Sequence, residues 1–393
     1  MAQDIEEFRD SIPVGELGII PMESSAEMGK VIDKFIVDWR KERAEVFQPL
    51  GEHCKDSYIV PAKCSRFGTG EAKGTLLETI RGKDLYLITD VTNYSITYKL
   101  SGHENRMSPD DHYADLKRII AAAAGKARRI NVIMPFLYES RQHRREGRES
   151  LDCAMALQEL NALGVENIIT LDAHDPRVQN SIPVGGFENV SCTYQFIKAL
   201  FQEVPDLRID NDHLMIISPD EGGMKRAIYY SNVLGVDMGM FYKRRDYSRI
   251  VDGRNPIVAH EFLGDSVEGK DVLIIDDMIS SGDSMLDVSK ELKKRKANRV
   301  FVAASFGLFT NGLAAFDDYY EKGLISKVLT TNSIYQPPEL LERPYYINVD
   351  MSKYLALIID KLNYDHSISD LLDPYDRIEA ALDNYRNGKE IDY

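Results

Sequence analysis

A short apolar segment that ends in two adjacent acids constrains this 393-residue chain more than any other feature. Residues 271–284 read DVLIIDDMISSGDS, and the four consecutive apolar residues 272–275 are typical of a strand buried inside a parallel sheet. Asp276 and Asp277 follow that strand directly. A turn with three hydroxyls and a glycine comes next, and residues 285–296 are predicted to form a helix. The order strand, small-residue turn and helix indicates an α/β fold.

The turn after this strand is suited to bind an anion. Backbone N–H groups at the start of a helix, together with the helix dipole, attract phosphate, and hydroxyls add further donors. The two acids would repel a phosphate, so they suit the hydroxyls of a sugar or a metal-bound sugar phosphate. The segment therefore predicts a site for a phosphorylated sugar. The alternative is an ordinary strand–turn–helix unit in which Asp and Ser only cap the helix.

Length and composition narrow the class of protein. A chain of 393 residues predicts two or three domains, and 44% apolar with 28% charged residues is ordinary for a globular protein. No apolar run approaches the roughly 18–20 residues that span a bilayer, and the first ten residues are too acidic for a targeting peptide. Four widely scattered cysteines predict reduced thiols and a cytoplasmic location. The net charge of −15 argues against nucleic acid or an acidic membrane as the partner.

Two basic clusters stand out against this negative background. Residues 141–148 follow a predicted strand at 132–137, and residues 243–254 follow a predicted strand at 236–242. Open α/β sheets place their ligands just past strand ends, and Lys and Arg side chains suit polyphosphate. Either cluster alone could be a solvated loop, but beside a sugar-phosphate segment they predict polyphosphate binding. A third cluster, residues 293–296, is predicted only to complement the end of a helix.

Acids and a histidine follow two further predicted strands. Residues 167–171 are predicted as a strand, and alternation puts Asp172 and His174 on one side of its end, where they could share a divalent metal or its water shell. The apolar segment at 214–218 leads to Asp220, a Gly pair and two cations. Two glycines allow the backbone to approach a ligand closely. Asp220 could bind a metal or cap the following helix, and both interpretations remain open.

Taken in order, these segments resemble one family, ribose-phosphate pyrophosphokinase, over roughly residues 15–360. The matching segments are RFGTGE and ETIRGKDLYLITD (66–90), VIMPFLYESRQ (132–142), IITLDAHDPRVQ (168–179), IISPDEGGMKR (216–226), FYKRR (241–245), the 276–284 loop, and GLFTNGLAAF with VLTTNSI (307–334). Several independent motifs in the right order are more specific than any one of them. The resemblance implies two tandem type I phosphoribosyltransferase-like domains, each a mainly parallel sheet flanked by helices. It also implies transfer of the β,γ-diphosphoryl group of MgATP to ribose 5-phosphate, giving phosphoribosyl pyrophosphate and AMP for nucleotide biosynthesis.

The resemblance also implies roles for individual residues. Positions that contact the adenine and ribose of ATP from a neighbouring subunit are Phe67, Thr69, Gly70 and Glu71. Other ATP-binding positions are Arg141, Gln142 and His174. Positions linked to the implied Mg²⁺ are His174, Asp220 and the nearby Asp172. The implied catalytic positions, which steady the transferred phosphates, are Lys243, Arg245 and His174. The ribose 5-phosphate positions are Arg245, Asp276, Asp277, Ser280, Ser281, Gly282, Asp283 and Ser284.

The chain departs from the family pattern at a few of these positions. Thr69 stands where Asn or Asp is usual, and the Tyr-Glu-Ser before Arg141 is one residue longer than usual. Ser280 and Asp283 replace the common acid and the second glycine of the sugar-phosphate loop.

The chain is also longer than its family. We expect a solvated N-terminal extension at 1–14, a first domain at 15–185 and a second domain at 186–360. The first domain should carry an insertion near 91–111, before a helix at 113–124. A C-terminal extension at 361–393 should contain a helix at 375–385. The two domains are expected to meet near residues 182–189.

Three interpretations of function compete. The first is an active synthetase that works as a homo-oligomer, built from dimers and up to a hexamer. The second is a phosphoribosyltransferase that consumes phosphoribosyl pyrophosphate, although such an enzyme needs only one of the two domains. The third is a synthetase-like regulatory subunit without catalysis. Retention of His174, Asp220, Lys243 and Arg245 favours the first.

Overall fold

The structure is a computed structural model that describes residues 5–47, 54–245 and 257–389. Its strands are β1 (Glu16–Pro21), β2 (Ala62–Arg66), β3 (Ala72–Leu76), β4 (Lys83–Ile88), β5 (Thr97–Leu100), β6 (His103–Arg106), β7 (Arg129–Ile133), β8 (Asn167–Leu171), β9 (Gly186–Val190), β10 (Leu214–Ser218), β11 (Met238–Arg245), β12 (Ile257–Leu263), β13 (Asp271–Ile279), β14 (Val300–Gly307), β15 (Lys327–Thr331) and β16 (Tyr346–Val349). Its helices are α1 (Ala26–Val46), α2 (Pro109–Ala123), α3 (Asp152–Ala162), α4 (Thr193–Glu203), α5 (Met224–Leu234), α6 (Asp283–Lys294), α7 (Ala314–Glu321), α8 (Pro338–Leu341), α9 (Ser352–Asn363), α10 (Ser369–Leu372) and α11 (Tyr375–Arg386). None of the described helices is long and apolar enough to cross a membrane.

Two mainly parallel sheets form the framework, as the sequence predicts. The first has the order β1-β4-β7-β8-β9, and every neighbouring pair in it is parallel. The second has the order β12-β11-β10-β13-β14-β15-β16, and only the edge strand β12 is antiparallel to its neighbour. Strands such as β4, β7 and β10 are buried at every position, because helices or the other sheet cover both faces.

One apolar core joins the two halves of the chain. Alternating residues of β13 divide between two clusters: Leu273 and Ile275 enter the shared core, whereas Val272 and Ile274 face the layer that contains α6 and α7. The shared core also holds Leu17 of β1 and side chains from α1, α4, α5, α9 and α11. The sheets are therefore packed through a continuous interior.

Local sequence patterns gave most element positions correctly. The predicted strands at 167–171 and 214–218 match β8 and β10, and α11 ends one residue beyond the predicted helix. Helix α2 begins at Pro109, four residues before the predicted start, because Ser108 and Asp111 form a reciprocal capping box and proline fits the first helical turn. Strand β7 ends at Ile133, so the predicted strand at 132–137 was placed too late in the chain.

Two predictions about strand ends were wrong in a way that matters for the site. Strand β13 continues through the two acids to Ile279, because the pairing with β14 extends to Gly307. Asp276 and Asp277 therefore lie in a strand and not after it. Strand β11 likewise extends to Arg245, so Lys243 and Arg245 lie on a strand whose backbone pairs with β12. Their side chains, and residues 246–254 of the same basic cluster, lie outside the described part of the chain.

The boundary between the two halves differs from the predicted one. Strand β9 pairs in register with β8, so sheet membership places the end of the first half after Val190 and not at 185. The C-terminal segment returns to this first half, where α9 packs against α1.

The N-terminal segment is not solvated as expected. Phe8 is only 1% exposed, and the guanidinium of Arg43 lies 4.1 Å from its ring centroid. The Phe8 ring also packs edge-on against Tyr364, and the N–H of Val14 donates to the carbonyl of Asn363. The described N-terminal residues thus dock on the C-terminal segment.

Candidate active site

The strand ends of the two sheets meet at one place, where side chains from both halves form hydrogen bonds. His174, which follows β8 of the first sheet, contacts Asp277 on β13 of the second sheet, with 2.6 Å between Nδ1 and Oδ2. The hydroxyl of Ser305 on β14 donates to Oδ2 of Asp172 over 2.5 Å. These contacts join residues more than a hundred positions apart in the chain, so the site exists only because the two sheets are packed together.

Charges at this junction are strongly coupled. The hydrogen bond to Asp277 raises the pKa of His174, against the effects of burial and of the nearby charges of Arg141 and Arg226. Burial opposes ionisation of Asp277, but the hydrogen bond from His174 and the charge of Arg226 outweigh it and lower its pKa to about 2. Burial, together with the adjacent charge of Asp277, raises the pKa of Asp276 well above its ordinary value. The junction thus holds an ionised Asp277 paired with His174.

Arg226 is a site residue that the sequence did not single out. Its Nη1 lies 3.9 Å from Oδ1 of Asp276 and 4.0 Å from Oδ1 of Asp277, and Asp172 also faces its charge. The two cations after the Gly pair were visible in the sequence. The packing of α5 decides which of these two cations faces the strand ends. Lys225 is exposed, whereas Arg226 is half-buried.

The three predicted metal-linked residues do not converge. Asp172 has a φ of +35°, and its carboxylate accepts from Ser305 and from the N–H of Cys192. Asp220 accepts from the N–H groups of Gly222 and Gly223 at 2.9 and 3.3 Å, so it shapes the turn before α5. Within the described ranges no group of three His, Cys, Asp or Glu side chains is arranged to hold a metal ion. Asp172 contacts Ser305 on β14, whereas His174 contacts Asp277 on the neighbouring strand β13, so the two side chains have different partners in the second sheet.

The turn after β13 is closed by its own side chains. The hydroxyl of Ser281 donates to the carboxylate of Asp283 over 2.9 Å, and the N–H of Asp283 points back to that hydroxyl at 3.4 Å. Asp283 lies in the first turn of α6, where the helix dipole stabilises its negative charge. Gly282 has a φ of +93°, and a Cβ there would lie 2.4 Å from the ring of Phe316. Glycine is therefore required at 282. The N–H of Thr310 also donates to the carbonyl of Ser280 and holds the start of the turn.

The segment that contains Arg141 adjoins His174. The added residue of its motif, Glu139, has a φ of +55°, and the ring of His143 lies 5.2 Å from the ring of His174. Arg141 is exposed and close enough to influence the charge of His174. The side chain of Gln142 instead donates to the carbonyls of Arg144 and Ser150, so in this structure it holds the loop together.

The predicted adenine-contacting residues lie at the tip of the β2–β3 hairpin. Strand β2 ends at Arg66 and β3 begins at Ala72, so the turn between them is residues 67–71. Phe67 is 53% exposed, and its N–H donates to the carbonyl of Glu71. The hydroxyl of Thr69 donates to the Glu71 carboxylate over 2.9 Å, and Gly70 has a φ of +91°. None of the hydrogen bonds described for this tip reaches His174 or Asp277, so the structure leaves these two groups of predicted residues apart.

Both halves of the chain match known protein families. Residues 18–164 match a family model described as the N-terminal domain of ribose phosphate pyrophosphokinase, and residues 192–343 match one described as a phosphoribosyl transferase domain. The ribose-phosphate pyrophosphokinase of Vibrio parahaemolyticus is 28% identical over 78% of this chain and 90% of its own length. That of Streptomyces coelicolor is 26% identical over 84% of this chain and 92% of its own.

A solved structure shows the same fold over nearly the whole molecule. The phosphoribosylpyrophosphate synthetase of Mycobacterium smegmatis aligns with a TM-score of 0.69 at 19% identity, covering 88% of this chain and 98% of that one. The predicted fold of two tandem phosphoribosyltransferase-like domains is therefore confirmed. Two family models in sequence, and relatives that align over more than three quarters of the chain, place this protein in the ribose-phosphate pyrophosphokinase family.

Proposed function

We propose that this protein transfers the β,γ-diphosphoryl group of ATP to the anomeric hydroxyl of ribose 5-phosphate. The observation that carries the proposal is the bond between His174 and Asp277, which joins the nucleotide half of a family member to its sugar-phosphate half. Arg141 lies on the nucleotide side of this bond, and the 280–284 turn lies on the sugar side. A reaction that joins the two substrates needs such a junction.

The second half supplies the features that suit ribose 5-phosphate. Asp276 and Asp277 stand at the end of β13, where carboxylates can accept hydrogen bonds from the ribose hydroxyls. The turn at 280–284 leads into α6, whose first N–H groups and dipole favour the 5-phosphate. In this proposal Ser280, Ser281 and Ser284 add hydroxyls to that phosphate site, and Arg245 adds charge.

Two of the predicted metal-linked residues fit Mg²⁺ as a partner of ATP. Asp277 holds Nδ1 of His174 and thereby orients the ring, and the described contacts leave Nε2 without a hydrogen bond. Asp220 uses only Oδ1 in the described contacts. Mg²⁺ usually keeps several waters and takes one or two protein ligands plus substrate phosphates, so a site without three converging acids suits it. When bound, the ion would neutralise phosphoryl oxygens, and we propose that His174 and Asp220 hold it or its waters.

The chemistry requires no nucleophilic side chain. The anomeric oxygen forms a bond to the β-phosphorus, the bond from that phosphorus to the oxygen shared with the α-phosphate breaks, and AMP leaves with that oxygen. The proton of the sugar hydroxyl is released. Catalysis of phosphoryl transfer consists mainly of positioning and charge neutralisation. In this proposal Lys243, Arg245 and Arg141 neutralise the charge of the transferred phosphates. Asp277 holds the ring of His174 in position.

The purified protein should therefore form AMP and phosphoribosyl pyrophosphate only when ATP, ribose 5-phosphate and Mg²⁺ are all present. A coupled assay of AMP release, with each component omitted in turn, measures this. AMP release that ignores ribose 5-phosphate would contradict the proposal. Consumption of phosphoribosyl pyrophosphate with a free base would support a phosphoribosyltransferase, and a folded protein without either activity would support a regulatory subunit.

We further propose that the active form is a homo-oligomer in the cytoplasm. Phe67 is exposed at the hairpin tip, as suits a ring offered to the adenine site of a neighbouring subunit, which the family resemblance implies. Cys64, Cys153 and Cys192 form no disulfide, as suits a reducing compartment. If the sites are shared, a monomer cannot bind ATP fully.

Mixing two inactive variants tests whether sites are shared between subunits. Phe67→Ala removes one half of the site and Lys243→Ala removes the other, so each protein should be weakly active alone. In a 1:1 mixed oligomer with random exchange, about a quarter of the sites should contain both wild-type parts, and activity should partly return. Absence of recovery despite demonstrated subunit exchange would mean that each chain builds its own site.

A further inference from the structure

The nucleotide turn at 67–71 depends on its neighbours for a defined shape. It closes the β2–β3 hairpin, which forms a two-stranded sheet separate from the two large ones. An isolated two-stranded hairpin is only marginally stable in water. The side chains of its tip are exposed from Phe67 to Thr69 and again at Glu71. Order at the tip must therefore come from whatever packs behind it.

The element packed there is the hairpin β5–β6, which lies within the insertion predicted near 91–111. The N–H of Ser101 donates to the carbonyl of Gly68 over 2.9 Å. The side chain of Leu100 lies so close to Gly70 that a Cβ added there would come within 2.7 Å of it. The ring of Tyr98 stacks on the guanidinium of Arg66 at 4.8 Å, at the end of β2. Three contacts thus hold the residue before the turn and two positions inside it.

Helix α2 supports the hairpin β2–β3 from another side. The carboxylate of Asp115 accepts from Arg66 over 2.8 Å, and both side chains are about nine-tenths buried. Gly74 on β3 packs directly on the α2 backbone, where a Cβ would lie 2.6 Å from the carbonyl oxygen of Arg118. The hydroxyl of Tyr98 also reaches Asp111 in the first turn of α2, at 3.3 Å. The insertion and α2 therefore hold Arg66 and the turn between them.

We propose that the β5–β6 hairpin is a positioning element that pre-shapes the 67–71 turn for the adenine and ribose of ATP. This inference rests on the proposed function and adds a part that the chain's inserted residues supply. A turn held in its binding conformation loses less conformational entropy when the nucleotide binds. Loss of this support should weaken the use of ATP and leave the use of ribose 5-phosphate unchanged, because the sugar-phosphate turn lies on the other sheet.

A pair of double variants on opposite faces of β5 tests the inference in the full-length protein. Tyr98→Ala with Leu100→Ala removes the half-buried side chains that face the turn. Thr97→Ala with Lys99→Ala removes the exposed side chains on the other face of the same strand and is the matched control. The first variant should raise the KM for ATP about tenfold, equivalent to about 1.4 kcal/mol, while kcat and the KM for ribose 5-phosphate stay within about twofold. Tyr98→Phe keeps the ring on Arg66 and should behave like the wild type.

Hydrogen exchange supplies a second readout that does not depend on activity. The amides of Phe67 and Gly70 are bonded within the turn, and they should exchange faster in the Tyr98/Leu100 variant while the amides of β4 stay protected. An unchanged KM for ATP, or turn amides that exchange as slowly as in the Thr97/Lys99 control, would overturn the inference. If the wild-type protein forms no phosphoribosyl pyrophosphate, the proposed function fails, and the exchange experiment still decides whether the hairpin orders the turn.

Discussion

Replacing Lys243 with alanine should lower turnover by about a hundred- to a thousandfold, while binding of ribose 5-phosphate changes little. Strand β11 is parallel to β10, with Met240 opposite Ser218 at the end of that strand. Lys243 is three residues farther along, so it lies about 10 Å beyond the end of β10, on the side of the Asp220 turn. A compact cation placed there can neutralise the oxygens of the transferred diphosphoryl group.

Steady-state kinetics of AMP release, with calorimetric titration of ribose 5-phosphate, would measure the two quantities. Lys34→Ala removes an exposed lysine from α1 and is the matched control, for which we expect unchanged turnover. If Lys243→Ala and Lys34→Ala have the same turnover, the basic cluster that begins at Lys243 has no catalytic role.

Replacing Asp360 with asparagine should destabilise the fold by about 3–5 kcal/mol, because it removes the charge of a buried carboxylate that pairs with two buried arginines. Asp360 on α9 is completely buried. Its carboxylate accepts from Nε of Arg40 at 2.9 Å and from Nη1 of Arg43 at 2.6 Å, and these side chains are only 3% and 1% exposed. These ion pairs join α1 of the first half to α9 of the C-terminal segment. Loss of the Asp360 charge should therefore also loosen the packing between the two helices.

The midpoint and slope of urea unfolding measure this loss. Asp365→Asn is a suitable control, because Asp365 also pairs with an arginine, Arg129, but its side chain is 69% exposed. Asparagine tolerates its φ of +53°. We expect that control to cost less than about 1 kcal/mol. Equal and small losses in both variants would show that the buried network contributes no more than a surface pair.

Much of the fold could be predicted from local patterns. The runs at 167–171 and 214–218 match β8 and β10, because a short, mainly apolar run between turn signals is typical of a buried strand, where the sheet satisfies the backbone hydrogen bonds. The helix at 375–386 was predicted from its own sequence almost to the residue. Order and spacing of the motifs also identified the family, since each motif depends on residues that are close together in the chain.

The errors at β13 and in the N-terminal segment arise from contacts between distant parts of the chain. Strand β13 runs past its acids because β14 offers it partners as far as Gly307, which the sequence around Asp276 does not show. Phe8 is buried because its ring packs against Arg43 and Tyr364. The carboxylate of Asp172 accepts from Ser305, a residue 133 positions farther along the chain. Periodicity cannot anticipate such partners.

The sequence by itself determined the family, the two parallel sheets and the residue types that suit a sugar phosphate and a polyphosphate. These follow from short-range regularities, namely apolar runs, turn residues and motif spacing. Only the tertiary structure decided that His174 pairs with Asp277, that Arg226 faces Asp276 and Asp277, and that the β5–β6 hairpin supports the nucleotide turn. Each of these depends on the packing of one element against another, and that packing is set by the whole buried core and not by any local segment.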